Sequence, residues 1–156
     1  MSRTVRFIII GLAVLAIIIQ FVGPATPEVS NSNPDDMIAT ESVDNEVAGI
    51  LRTSCYDCHS METNFPWYAS VAPVSWRVNG HVKHGREELN FSEWSSLSRV
   101  RKLRKLKDIA EVMEEGEMPL NDYVLMHSEA ELTDEQRQLI VDWANDFAEV
   151  VMDRKK

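Results

Sequence analysis

The chain has 156 residues, 44% of them hydrophobic, with 25 acidic against 16 basic residues and a net charge of −9. That length holds one domain of ordinary size plus an appendage. The charge argues against nucleic acid as a partner, because phosphate binding needs a basic surface. With only two cysteines, Cys55 and Cys58, there is no second pair for a structural disulfide elsewhere and no all-thiolate zinc cage.

Arg3 and Arg6 precede an apolar run from Phe7 to Val22, interrupted only by Gln20. Positive charge ahead of an apolar segment keeps the N-terminus in the cytoplasm and sends the downstream chain across the membrane. The run is slightly short for a spanning helix and slightly long for a signal-peptide core. We read residues 1–23 as an uncleaved, single-pass anchor in the inner membrane, with a soluble domain in the periplasm. The alternative is a signal peptide cleaved near Gly23-Pro24-Ala25, which releases the domain into the same compartment. Residues 24–42 are rich in Pro, Ser, Asn and Asp and are expected to form a flexible, solvated tether. Residues 43–152 are the expected domain.

Its first predicted helix carries Val43, Val47, Ala48, Ile50 and Leu51 at helical spacing, with Ser42 as cap. Gly49 inside it marks either the close approach of another helix, with Trp143 or Phe147 seated over it, or a tolerated glycine. The helix runs into Cys55-Tyr56-Asp57-Cys58-His59. This C-x-x-C-H run is the attachment signature of a c-type haem. Two thiols on one turn can add to the two vinyl groups, and the following histidine is then placed under the iron as proximal ligand. The competing reading, a haem-free thiol–disulfide pair beside a surface histidine, needs a βαβ context that the sequence lacks.

The aromatic, proline-rich stretch from Asn64 to Trp76 reads as a loop and then a helix starting near Pro73, with Gly80 and Gly85 at its fraying end. Another helix is predicted from about Ser92, with Trp94, Leu97, Val100, Leu103, Leu106, Ile109, Ala110 and Met113 apolar, until Gly116 ends it. Its basic side, Arg99 to Lys107, reads as a solvated face, with a docking patch for an acidic partner as the alternative. Thr133-Asp134-Glu135-Gln136 is a capping box ahead of a stripe from Leu139 to Val151. No stretch alternates like a strand, so the expected fold is all-α, a small helical domain behind an N-terminal apolar segment.

Taken in order, Cys-Tyr-Asp-Cys-His-Ser, Phe-Pro-Trp-Tyr, Ala-Pro-Val-Ser-Trp, Gly-Arg-Glu-Glu-Leu-Asn-Phe-Ser-Glu-Trp and Gly-Glu-Met-Pro-Leu resemble a family of small exported bacterial haem-binding domains related to class I c-type cytochromes. The resemblance covers about residues 43–145. It implies one covalently bound haem c, an all-helical fold and a role in electron transfer; it does not identify the redox partners or the oligomeric state.

Among seven methionines, Met118 is the expected sixth ligand: it lies in a loop before Pro119 and matches the family's Met-Pro. Met126 and His127 are reserves, and His81 and His84 leave bis-histidine ligation open. Met113 reads as core. The carbonyl of Pro66 is a candidate acceptor for the second ring nitrogen of His59, the alternative being that Pro66 only makes a turn. Trp67, Tyr68, Trp76 and Arg77 either line the haem or serve as core and surface. The resulting expectation is a membrane-tethered monohaem electron carrier rather than an enzyme. Its alternatives are a haem-based sensor or haem enzyme with an open or weak sixth site, and the haem-free oxidoreductase.

Overall fold

The computed structural model describes residues 1–154, and every regular element among them is helical. The N-terminal helix α1 (Arg3–Ile18) is capped by Ser2, whose hydroxyl accepts from the Val5 amide, and a 3₁₀ turn (Ile19–Phe21) extends it. The 19 residues Arg3–Phe21 are long and apolar enough to cross a membrane, and none of that length is buried in the protein. A helix apolar all round and covered by nothing is a membrane anchor or a signal segment.

Much of the stretch expected to be a solvated tether is instead folded. The Ser30 amide donates to the Met61 carbonyl at 2.7 Å. Helix α2 (Met37–Thr40) places Met37 in the core with no exposed surface, and Asp36, 2% exposed, accepts from the Tyr56 hydroxyl at 3.0 Å. Glu41 takes Lys102 at 3.1 Å, Arg154 at 2.6 Å and the Trp94 indole at 3.2 Å. Composition misleads here because polar residues read as solvated unless their partners, 20 to more than 100 positions away, are known.

Burial alone would raise the Glu41 carboxyl, but hydrogen bonds from Arg154 and Lys102 outweigh it and hold it below the ordinary glutamate range. A carboxyl depressed on folding contributes stability above its unfolded pKa and loses it as pH falls through the folded value. Glu41→Ala is therefore expected to cost about 1–3 kcal/mol at pH 7, because Glu41 and Lys102 are covered while Arg154 is half exposed and screened by solvent. The difference from the parent protein should shrink toward pH 3. Denaturant midpoints at the two pH values check this.

Helix α3 (Asn45–Ser54) is capped by Asp44, not Ser42: the Asp44 carboxylate accepts from the Glu46 amide at 2.8 Å. It buries Val47, Ile50, Leu51 and Ser54. Gly49 lies off that face, and a Cβ built there meets nothing within 4 Å, so no helix approaches it. Trp143 and Phe147 pack on each other, and Phe147 stacks on Trp94 instead. The motif forms the one-turn helix α4 (Tyr56–His59). After a 3₁₀ turn (Trp67–Ser70), α5 (Val74–Glu88) starts beside Pro73 as expected but runs unbroken through Gly80 and Gly85.

The single helix predicted from Ser92 is two elements. Asn90 caps a 3₁₀ stretch (Phe91–Ser96), Leu97 is extended, and Ser98 caps α6 (Arg99–Glu114). Two competing side-chain caps within nine residues divide a continuous apolar pattern. The short α7 (Asn121–Val124) and a 3₁₀ turn (Ser128–Ala130) lead to α8 (Asp134–Asp153). Both reciprocal bonds of its Thr133–Gln136 capping box are made. Helices α6 and α8 pack along their lengths, with Leu106, Ile109, Ala110 and Met113 against Ile140, Val141, Ala144 and Phe147 in one core. The basic side of α6 is mostly solvated: Arg99, Arg101, Arg104 and Lys107 are exposed, Lys105 and Lys107 pair along the helix with Asp108 and Glu111, and Lys102 reaches across to Glu41.

Candidate functional site

Backbone geometry presents the motif. Cys55 (φ −125°, ψ −40°) ends α3. Its carbonyl then accepts from the amides of both Cys58 and His59, at 3.1 and 2.9 Å. One tight turn thus carries both thiols and the imidazole. Neither cysteine is in a disulfide, and both are partly buried.

Helix α5 backs this turn at Gly85. A Cβ on Gly85 would lie 2.7 Å from the Cys58 carbonyl oxygen and 3.2 Å from its carbon, and both are backbone atoms that cannot swing away. The glycine expected at a fraying end is therefore the point of closest approach. Next to it, Arg86 donates to the carbonyl of Ser60 at 2.8 Å, to the Thr63 hydroxyl at 2.8 Å and to the carbonyl of Glu28 at 2.7 Å. Thr63 donates to the Asp57 carbonyl at 2.7 Å, and Tyr123 donates to the Asp57 carboxylate at 2.8 Å. Sequence reasoning misses Gly85, Arg86, Thr63, Asp36 and Tyr123. The signals are a pair of glycines in a helical pattern, which reads equally well as helix fraying, and the family-like stretch that starts at Gly85-Arg86, which assigns neither residue a role. Gly85→Ala is expected to destabilise by about 1–3 kcal/mol through overpacking and to disturb the motif. Gly80→Ala, where a Cβ meets nothing within 4 Å, should instead stabilise by about 0.5–1 kcal/mol. Thermal midpoints of the two variants test the contrast.

His59 is held by Leu89, not Pro66. Its Nδ1 lies 3.1 Å from the Leu89 carbonyl, whereas the Pro66 carbonyl accepts from the Ala69 amide. A carbonyl only accepts, so Nδ1 carries the proton and the lone pair of the neutral ring sits on Nε2. Burial lowers the His59 pKa despite opposing backbone hydrogen bonds, which keeps the ring neutral. The Phe91 ring stands edge-on at 6.4 Å.

His59 lines a cavity of about 240 Å³ together with Cys55, Met113 and Met118; Leu51, Phe91, Ile109, Val112 and Ile140 supply most of its apolar wall, and Lys105, Asp108 and Glu88 supply charge. Met118 arrives there because α6 ends in a paired C-terminal turn. Gly116, at φ +69°, donates to the Met113 carbonyl, and Glu117 donates to that of Val112. This is the arrangement in which a left-handed glycine closes a helix and reverses the chain. Arg137 then fastens the Met118 carbonyl at 2.6 Å.

A second cavity of about 200 Å³ lies on the Cys58 side and shares no lining residue with the first. Pro66, Tyr68, Arg77, His81, Met126 and His127 line it. His127 is engaged there: Nε2 lies 2.7 Å from the Tyr68 hydroxyl, and its ring stacks on Tyr123 at 4.4 Å. Arg77 pairs with Asp122 at 2.6 Å. The sequence-predicted residues are thus divided: His59, Met118 and Cys55 share one space, and the reserves Met126 and His127 face another. Trp67, 79% exposed, and Trp76, packed at Gly23, line neither.

Burial pushes the Cys55 thiol up to about 12, with Cys58 adding to it, and pushes the Cys58 thiol up to about 11, with Asp57 and Asp122 adding. A redox dithiol needs the opposite, an electropositive site that lowers the pKa. Among the described residues, no three His, Cys, Asp or Glu side chains are grouped to hold a bare metal ion.

No curated protein and no solved structure matches the chain. A family described as the haem-binding domain matches residues 14–146, which takes in the end of α1, the folded segment before α3, both cavities and most of α8. A C-x-x-C-H turn against an apolar cavity shared by a neutral histidine and a methionine, within a match over most of the length, places the chain in that family: it is a haem-binding domain protein.

Proposed function

We propose that the chain holds a single haem c, bound covalently through Cys55 and Cys58, with His59 and Met118 as axial ligands, and that it carries electrons at the periplasmic face of the inner membrane. The observation that supports this most directly is that His59 and Met118 line one apolar cavity with Cys55 at its wall. The residues of this cavity fit the group: a neutral imidazole aimed by a carbonyl, a thioether, the Cys55 thiol and aliphatic walls; Cys58, on the same turn, lines the second cavity. The cavity measures about 240 Å³. When bound, the haem supplies one-electron chemistry at iron.

The chain's own residues do the rest. Leu89 keeps the His59 ring in one orientation and one tautomer, so that Nε2 remains the donor atom. Met118, on a loop pinned by Arg137, would supply the second iron ligand. Leu51, Ile109 and Ile140 exclude water, and exclusion of water tunes the potential. Neither axial residue is a proton donor at neutral pH, which suits transfer of an electron without bond-making. The raised thiol pKa values disfavour the oxidoreductase alternative.

A carrier and a sensor differ in whether the sixth position is open. Reduced protein exposed to carbon monoxide is expected to keep its low-spin spectrum, because the thioether occupies that position. Rapid carbon monoxide binding would support the sensor or enzyme reading instead.

A further inference from the structure

The end of α1 is tied to the domain at a defined place. The Gln20 side chain makes two hydrogen bonds to one residue: its carbonyl oxygen accepts from the Ala72 amide at 2.9 Å, and its amide donates to the Ala72 carbonyl at 3.3 Å. Three residues on, Gly23, at φ +150°, lies so close to the Trp76 ring that a Cβ there would overlap the indole. The only polar residue in the Phe7–Val22 run is therefore the one that grips the domain, and the following glycine seats a tryptophan.

The surface beside this junction is apolar. Trp67 is 79% exposed, Val71 43% and Val74 47%, all on the 3₁₀ turn before α5, just after it or at the start of α5. Exposed apolar residues clustered on one short segment mark a contact surface, and tryptophan is enriched where protein meets the headgroup layer.

Charge singles out the same surface. The chain has 25 acidic residues, yet residues 1–27 contain none and residues 63–86 contain none. These two stretches are the ones that meet at Gln20 and Ala72. The fold brings two carboxylates alongside: Asp122 is held by Arg77, and Asp57 accepts from the Asn64 amide and the Tyr123 hydroxyl. An acidic protein lying on an anionic lipid surface must keep carboxylates off the contacting face, since like charges there repel.

Resting on the reading of α1 as a retained anchor, we propose that the face formed by Trp67, Val71 and Val74 lies in the headgroup layer of the bilayer that α1 enters. Gln20 and Gly23 set that orientation. The domain is then held flat against the membrane rather than swinging from a tether, with the second cavity, whose lining includes Val74, beside the bilayer.

The test uses the full chain, haem-loaded, in vesicles of phosphatidylcholine and phosphatidylglycerol. A photo-reactive benzoylphenylalanine replaces Trp67, Val74, Val100 or Leu12, one at a time, and adducts are identified by mass. Leu12, within α1, reports whether the anchor is in the bilayer. Val100, 68% exposed on α6, reports the background. Lipid adducts are expected from positions 12, 67 and 74 and are expected to be absent at position 100. A lipid adduct at 12 with none at 67 and 74 overturns the proposed face while leaving the anchor in place. Protein adducts at 67 and 74 overturn it in favour of a protein partner. A chain recovered without α1 overturns both the face and the anchor.

Discussion

The double variant Cys55→Ala, Cys58→Ala, exported and purified, is expected to carry no haem that survives acid extraction, while the parent chain carries one. The effect is all-or-none because both links come from a single turn. The Cys55 carbonyl accepts from the Cys58 and His59 amides, and that turn places two thiols and the imidazole together. Each single variant keeps one thiol and is expected to keep one acid-stable link. No other sulfhydryl exists in the chain to substitute. A parent protein that is haem-free yet active as a dithiol would overturn the proposed function.

Met118→Ala is expected to abolish the low-spin methionine–histidine spectrum and to admit carbon monoxide rapidly after reduction. Met126→Ala and His127→Ala are expected to leave both readouts unchanged, because those side chains line the cavity on the Cys58 side, apart from His59. Met118 is only partly buried, so its truncation should cost less than the ~2–5 kcal/mol of a core methionine, and spectral loss will not merely report unfolding. An unchanged spectrum in Met118→Ala would move the ligand to Met113, the other methionine in the His59 cavity.

Residue order makes local features legible. The C-x-x-C-H turn, the Thr133 capping box, the α8 stripe and the glycine that ends α6 all depend on spacings within a few residues, and such spacings survive without tertiary context. The place of Met118 in a loop after that glycine is legible for the same reason. The division of the Ser92–Glu114 pattern is less so, because its apolar period continues across the Ser98 cap.

The remainder requires partners distant in sequence. Leu89 rather than Pro66 orients His59 because the chain after α5 crosses the imidazole, and no spacing rule encodes which carbonyl arrives there. Gly85 and Gly49 look alike in sequence. Only packing shows that Gly85 lies against the Cys58 backbone and Gly49 against nothing.

Asp36, Met37 and Glu41 look solvated in the sequence because their neighbours are polar. Folding pairs them with Tyr56, the core, Lys102 and Arg154. The sequence by itself determined an all-helical chain with an apolar N-terminus and a C-x-x-C-H turn. Tertiary structure decided which side chains share a cavity with that turn. A periodic pattern fixes which face of a helix is buried, but burial of polar groups depends on partners found only when distant segments meet.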